Sequence, residues 1–200
     1  MKKVLYPLLI LATLLFTTPL FAQFNMFIKI AQTTALGGTV TFDGESKDAT
    51  FAGTIEAQAY SNAIKGCPLV PTSPTSGCKS TLSPFSFQMR MNAALISLKT
   101  VEFRGAVIPS VDVWVRKSST STTAGYVYYQ IRMENVIVSQ VSESGGGGDD
   151  GISFLIDLSP QKIGWQYTKS TATGTPGTKS TFGWDLSTNA PWTPSTFPLK

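Results

Sequence analysis

Residues 126–141 set the tightest limit on the fold. Tyr129, Ile131 and Met133 put apolar side chains at odd positions, while Val136 and Val138 put them at even ones. Period-two alternation marks a strand with one face on a core. The stretch therefore reads as one long strand whose parity switches at Glu134 and Asn135, and a β-bulge there is expected to return the apolar side chains to the core face. Just upstream, Val111, Val113 and Val115 alternate with Asp112, Trp114 and Arg116. That pattern places the valines on one face of a sheet and the polar or amphipathic groups on the other.

The rest of the chain is read on the same terms. Residues 24–31 and 39–42 are expected strands, the second following Gly37 and Gly38. Residues 51–60 are another, with Phe51, Gly53, Ile55, Ala57 and Ala59 on one face. Residues 61–84 hold four of the twelve prolines and both cysteines, the composition of an exposed loop inserted in the domain. Residues 85–91 resume strand character. Residues 92–100 form the one convincing helix, with Asn92 as N-cap and Leu95, Ile96 and Leu98 on its apolar side. Two strands, 152–158 and 163–169, are expected around Pro160, and a last one at 182–186. The glycine run 145–148 with Asp149 and Asp150 reads as a solvated hairpin loop, because two adjacent acids are too few ligands to favour calcium. About eight strands and one helix predict a mainly β fold, a small antiparallel β-barrel with one flanking α-helix.

Ahead of these strands, Lys2 and Lys3 precede an apolar run over residues 4–16 and a short polar stretch ending at Ala22. This is the order of a secretory signal peptide, so residues 1–22 are read as a leader cleaved after Ala22, which leaves 23–200 as one domain. Leu20 stands at the minus-three position, where a small residue is usual, and this keeps an uncleaved anchor as the alternative. Export predicts a secreted or periplasmic protein. It also favours a disulfide between Cys67 and Cys78 over two free thiols, and closing that loop contributes about 3 kcal/mol in the chain-entropy model.

Composition narrows the function. The 200 residues contain no histidine, which removes imidazole bases and ligands, and no Ser, Cys or carboxylate constellation replaces them. No catalytic, cofactor or metal site is therefore expected, and the chain is read as a non-enzyme. Removing the leader leaves 14 basic side chains against 12 acidic ones. The basic residues are scattered singly, so neither nucleic acid nor a membrane beyond the leader is an expected partner.

Three segments in order carry a family resemblance: YYQIRMENVIVS at 128–139, KIGWQY at 162–167 and FGWDLSTN at 182–189. Upstream, FNMFIKI at 24–30, FSF at 85–87 and IPSV at 108–111 fall in matching places. Over residues 24–190 the chain resembles the Hcp family, the tube protein of type VI secretion systems. The resemblance implies a small β-barrel flanked by one helix, six copies closing into a ring around a channel, and rings stacking into a tube that a contractile sheath drives outward. It also implies export as a product of that machine and carriage of effectors in the channel. It marks Asn135, Lys162, Trp165, Tyr167, Gly183, Trp184, Asp185 and Asn189 as motif residues of structural role. Tube subunits normally carry no leader, so an alternative is a Sec-exported relative that binds a ligand outside the cytoplasm and no longer builds the tube.

Overall fold

The computed structural model describes residues 24–35, 37–66, 79–118, 125–145, 151–194 and 197. Residues 1–22, read from the sequence as a leader ending at Ala22, the cysteines Cys67 and Cys78, and Asp149 and Asp150 lie outside them. The strands are β1 (Phe24–Ile30), β2 (Thr33–Ala35), β3 (Gly38–Val40), β4 (Ile55–Ser61), β5 (Ile64–Lys65), β6 (Thr81–Leu82), β7 (Phe85–Arg90), β8 (Ile108–Lys117), β9 (Val127–Ser144), β10 (Ser153–Ser170), β11 (Pro176–Asp185) and β12 (Ala190–Pro191). A single described helix, α1 (Ala94–Arg104), sits between β7 and β8.

The main sheet runs β12-β11-β10-β7-β4-β1-β8-β9, and β9 pairs back onto β10. Six strands therefore close a barrel, while β11 and β12 extend from β10 as a side sheet. All of these pairs are antiparallel. The inward side chains make one core, including Met26, Ile28, Val111, Val113, Val115, Ile131, Met133, Phe154 and Ile156, joined by Leu95, Leu98 and Val101 of the helix. The fold class is the expected one, a mainly β barrel with one flanking helix.

The parity switch at Asn135 is real, but it is not a bulge. Pairing runs without a change of register from Ile108↔Val136 to Val115↔Tyr129, and from Leu158↔Val138 to Tyr167↔Tyr129. All three strands instead change parity in the same row: buried positions step from Ile108 to Val111, from Val136 to Met133, and from Pro160 to Ile163. A row that turns together keeps its ladder, so the sheet folds along a line through Pro109, Asn135 and Gln161. Asn135 makes the turn at φ +50°, a left-handed conformation that asparagine tolerates better than most residues. The irregularities of register lie away from this row, opposite Asp157 and Leu158 on β10 and opposite Val115 and Arg116 on β8.

Residues 152–158 and 163–169 prove to be one continuous strand, β10. Pro160 interrupts nothing because of where it falls. On one side it pairs with Val136; on the other, β7 ends opposite Leu158 and β11 begins opposite Lys162. The missing proline N–H thus sits where no neighbouring strand is present to accept it.

Three further expectations are corrected. Residues 51–54 form a turn and β4 starts at Ile55; Phe51 packs instead with Phe27 and Trp114 on the outer wall of the barrel. Trp114 and Asp112 are buried there, so β8 is covered on both faces. The segment read as an open loop, 61–84, is drawn together at its neck, where β5 pairs with β6.

The helix outlasts its expected end by four residues, running to Arg104 before Gly105 turns left-handed at φ 59°. Asn92 Oδ1 accepts the Ala94 N–H at 3.0 Å, the contact expected of a capping residue. Ala94, Leu95, Leu98 and Val101 face the core, whereas Ile96 is exposed. α1 also covers an open edge. Beyond Val136, β9 has no β8 partner, and there Glu102 Oε1 accepts the Val141 N–H at 3.2 Å while Lys99 Nζ meets Glu143 at 2.7 Å.

Candidate functional site: a polar corner and an aromatic face

The motif residues fall into two groups. The first gathers where the fold line crosses β10 and reaches the end of β11. Asn135 Nδ2 donates to Gln161 Oε1 at 2.8 Å, Gln161 Nε2 donates to Ser187 Oγ at 2.9 Å, and Leu186 N–H donates to the Gln161 carbonyl at 2.9 Å. Asp185 closes the turn: its Oδ1 accepts from Ser187 N–H at 2.8 Å, Ser187 Oγ at 2.6 Å and Thr188 N–H at 3.3 Å. The Ser187 hydroxyl, with these backbone donors and Lys162 3.8 Å away, holds the Asp185 carboxyl below its ordinary value of 3.8. Asn189 ends the turn at φ +53°. This aspartate is occupied as a turn anchor, with three donors on one oxygen.

Gly183 belongs to the same corner. It pairs with Gly164 across β10 and β11, and residues 192–194 lie over the pair. A Cβ on Gly183 would stand 2.3 Å from the Trp192 carbonyl oxygen. Glycine at this position lets the returning chain approach, with Trp192 N–H bonded to the Gly183 carbonyl at 2.9 Å.

The second group is apolar. Ile163 points into the core, and the same face of β10 continues to Trp165 and crosses to Phe182 and Trp184 on β11. Because β11 stands outside the barrel, the core-facing side of the sheet runs on into the open. Trp165 and Phe182 stack with ring centres 5.9 Å apart, and Phe182 and Trp184 follow at 6.3 Å. Phe182 remains 56% exposed. Ile64 and Leu82 from the neck of the inserted loop complete an apolar cleft of about 160 Å³. It adjoins a shallower hollow of about 440 Å³ that Asn62 and Tyr129 help to line.

Burial pushes the Tyr129 hydroxyl up to about 12 and raises Tyr60 and Tyr128 as well, so these tyrosines stay neutral at working pH. Tyr167 is exposed on β10, two residues beyond Trp165. The sequence reading named Trp165, Tyr167 and Trp184 and carried Phe182 only within a motif segment, but missed Ile64 and Leu82, which lie in a segment read as open loop. Among the described residues no three His, Cys, Asp or Glu side chains gather as a metal-ligand group, and no helix is long and apolar enough to cross a membrane.

Fold and motifs together define a six-stranded antiparallel barrel with an aromatic side sheet and one helix on an open edge. The family model described as "Type VI secretion system effector, Hcp" matches residues 27–171, and the chain belongs to that family. Among solved structures, Hcp1 from Salmonella typhimurium is similar at 22% identity and TM-score 0.64, covering 84% of this chain and 99% of that one. A structure described as a type six secretion system protein is similar at 23% identity and TM-score 0.72, covering 85% and 100%. A type VI secretion system effector from Yersinia pestis follows at 22% identity and TM-score 0.60, covering 80% and 99%. No curated protein matches the chain significantly.

Proposed function

We propose that this chain is an exported, ring-forming Hcp subunit without catalytic activity, in which the leader 1–22 directs export and residues 23–200 close into homohexameric rings. The rings stack into a tube and carry effector cargo in their channel. One observation carries this reading beyond family membership: the aromatic face of β10 and β11 lies open beside a strand edge that β12 meets only at Trp184 and Asp185. An unpaired edge next to an exposed apolar face is an unstable surface for an isolated monomer and suits contact with a second copy. A ring requires two different surfaces that meet head to tail, and this face supplies one of them. The leader and the pair Cys67 and Cys78 support export into an oxidising compartment, with the two joined as a disulfide.

The leader also favours a second reading, a periplasmic or extracellular binding protein that keeps the barrel without building the tube. Light scattering and negative-stain imaging of residues 23–200 separate the two. Rings of six copies are expected, and a monomer at every accessible concentration overturns the ring. In cells, a strain lacking residues 1–22 should fail to release the protein; unchanged release would assign export to the secretion machine instead.

A further inference from the structure

A second pocket lies on the outer wall of the barrel, away from the aromatic face. The row Trp114, Gln130, Gln166 and Thr181 crosses β8, β9, β10 and β11 in register. Gln130 and Gln166 form the floor of a cavity of about 360 Å³, with Thr168 beside them. Phe51, Arg116, Tyr126 and Lys179 of β11 line it as well. This volume is in the range of small-molecule sites.

Two features of the pocket point to a polar occupant. Gln130 is only 5% exposed, yet its Oε1 has no hydrogen-bond partner, and the buried Tyr126 hydroxyl has none either. Buried polar atoms are almost always paired, so two orphans lining one cavity call for a group that supplies what the protein lacks. The charge is one-sided as well: among the described residues two cations line the pocket and no carboxylate does. Asp48 already pairs with Arg116, whose guanidinium is stacked 5.2 Å from the Phe27 ring. Lys179 has no ion pair among the described residues and carries the uncompensated charge. One free cation among neutral amides and hydroxyls matches a single negative charge on a hydroxyl-rich molecule.

We propose that this pocket binds a small hydroxylated carboxylate of the uronic-acid class. Lys179 Nζ and the Tyr126 hydroxyl donate to the carboxylate, a ligand hydroxyl donates to Gln130 Oε1, and Gln166 and Thr168 hold the remaining hydroxyls. Isothermal titration of the purified protein with galacturonate, galactose and acetate tests the assignment. Galacturonate should bind at least about tenfold more tightly than either galactose or acetate. Lys179→Met should remove the preference for galacturonate over galactose while leaving galactose binding unchanged. Gln130→Leu should abolish binding of both sugars without lowering the melting temperature, since an unpaired buried acceptor is replaced by an apolar group of similar size. Equal affinity for galacturonate and galactose, no binding of either at millimolar concentration, or unchanged sugar binding by a folded Gln130→Leu would overturn the proposal. Should Gln130→Leu not fold, Lys179→Met, at an exposed position, decides the matter alone.

Discussion

Asn135 and Gln161 face each other across β9 and β10 at the one row where the barrel wall folds, joined by a 2.8 Å hydrogen bond from Nδ2 to Oε1. Asn135 holds φ +50° there, which a β-branched residue adopts only under strain. Asn135→Val should cost about 2 kcal/mol in urea denaturation, from strain and the lost bond together. Asn135→Gly loses the bond but accepts the backbone, and should recover at least half of that loss. Equal losses for the two variants would show that the conformation is not the cause.

Gly183→Ala forces a methyl group against the Trp192 carbonyl oxygen. Backbone must move to admit it, so a loss of about 2 kcal/mol is expected, with release of residues 190–194 from β11. Gly66 has open space around its ideal Cβ, and Gly66→Ala should change the melting temperature negligibly. Amide hydrogen exchange at Trp192 provides the local readout; unchanged protection in Gly183→Ala would contradict the close approach.

Asp48 anchors the loop that covers the outer wall. Arg116 Nη1 donates to its Oδ1 at 3.1 Å, and the Thr50 N–H bonds the same oxygen at 2.9 Å. The Arg116 hydrogen bond leads in holding this carboxyl below 3.8. A depressed folded pKa gives stability that is present above the ordinary value and lost as pH falls through the folded one. Asp48→Asn should therefore cost about 1 kcal/mol at pH 7, a cost that shrinks as pH falls through the folded value. Asp112 behaves with the opposite sign. Burial raises it in spite of Arg132, so its contribution favours the fold at low pH and fades as pH rises through that raised value. Stability curves of the wild type and Asp48→Asn against pH should converge on the acid side; parallel curves would remove Asp48 from the account.

Phe182→Ser tests the open aromatic face. The side chain is more than half exposed, so the variant should fold with nearly unchanged stability while sedimentation shifts from ring to monomer. Trp165→Ala reaches further, because Trp165 also packs against the core. Half-buried, it should cost about 1–2 kcal/mol, below the roughly 3–5 kcal/mol of a fully buried tryptophan. Rings that persist in Phe182→Ser would move the interface elsewhere.

Much of the architecture could be read from alternation alone, and what was missed shares a physical origin. Valines at 111, 113 and 115 announced the inward face of β8. That its outward face is covered too depends on Phe51 folding back over Trp114, and a loop that returns across a strand leaves no period in the sequence. The switch at Asn135 was visible, but the matching steps in β8 and β10 were not, since register belongs to pairs of strands. Pro160 split β10 in two on paper because a proline is excluded from a paired strand; one partnered on a single side obeys a different rule. The motif residues at the corner were legible by resemblance. The cleft was legible only in part, because Ile64 and Leu82 come from the insertion. Gln130 and Gln166 read simply as the polar side of their strands, and nothing local shows that a row of such residues has been walled in.

At Pro160, β10 changes one neighbour for another, and this has a mechanical consequence. Its first half closes the barrel against β7, its second half carries β11, and β9 runs alongside both. A push delivered to the side sheet along the strand direction passes into the long β9 and β10 ladder, where the bonds resist together in shear. It does not prise β7 away from the wall bond by bond. A barrel hinged at this point can be loaded from its flank while its seam stays shut.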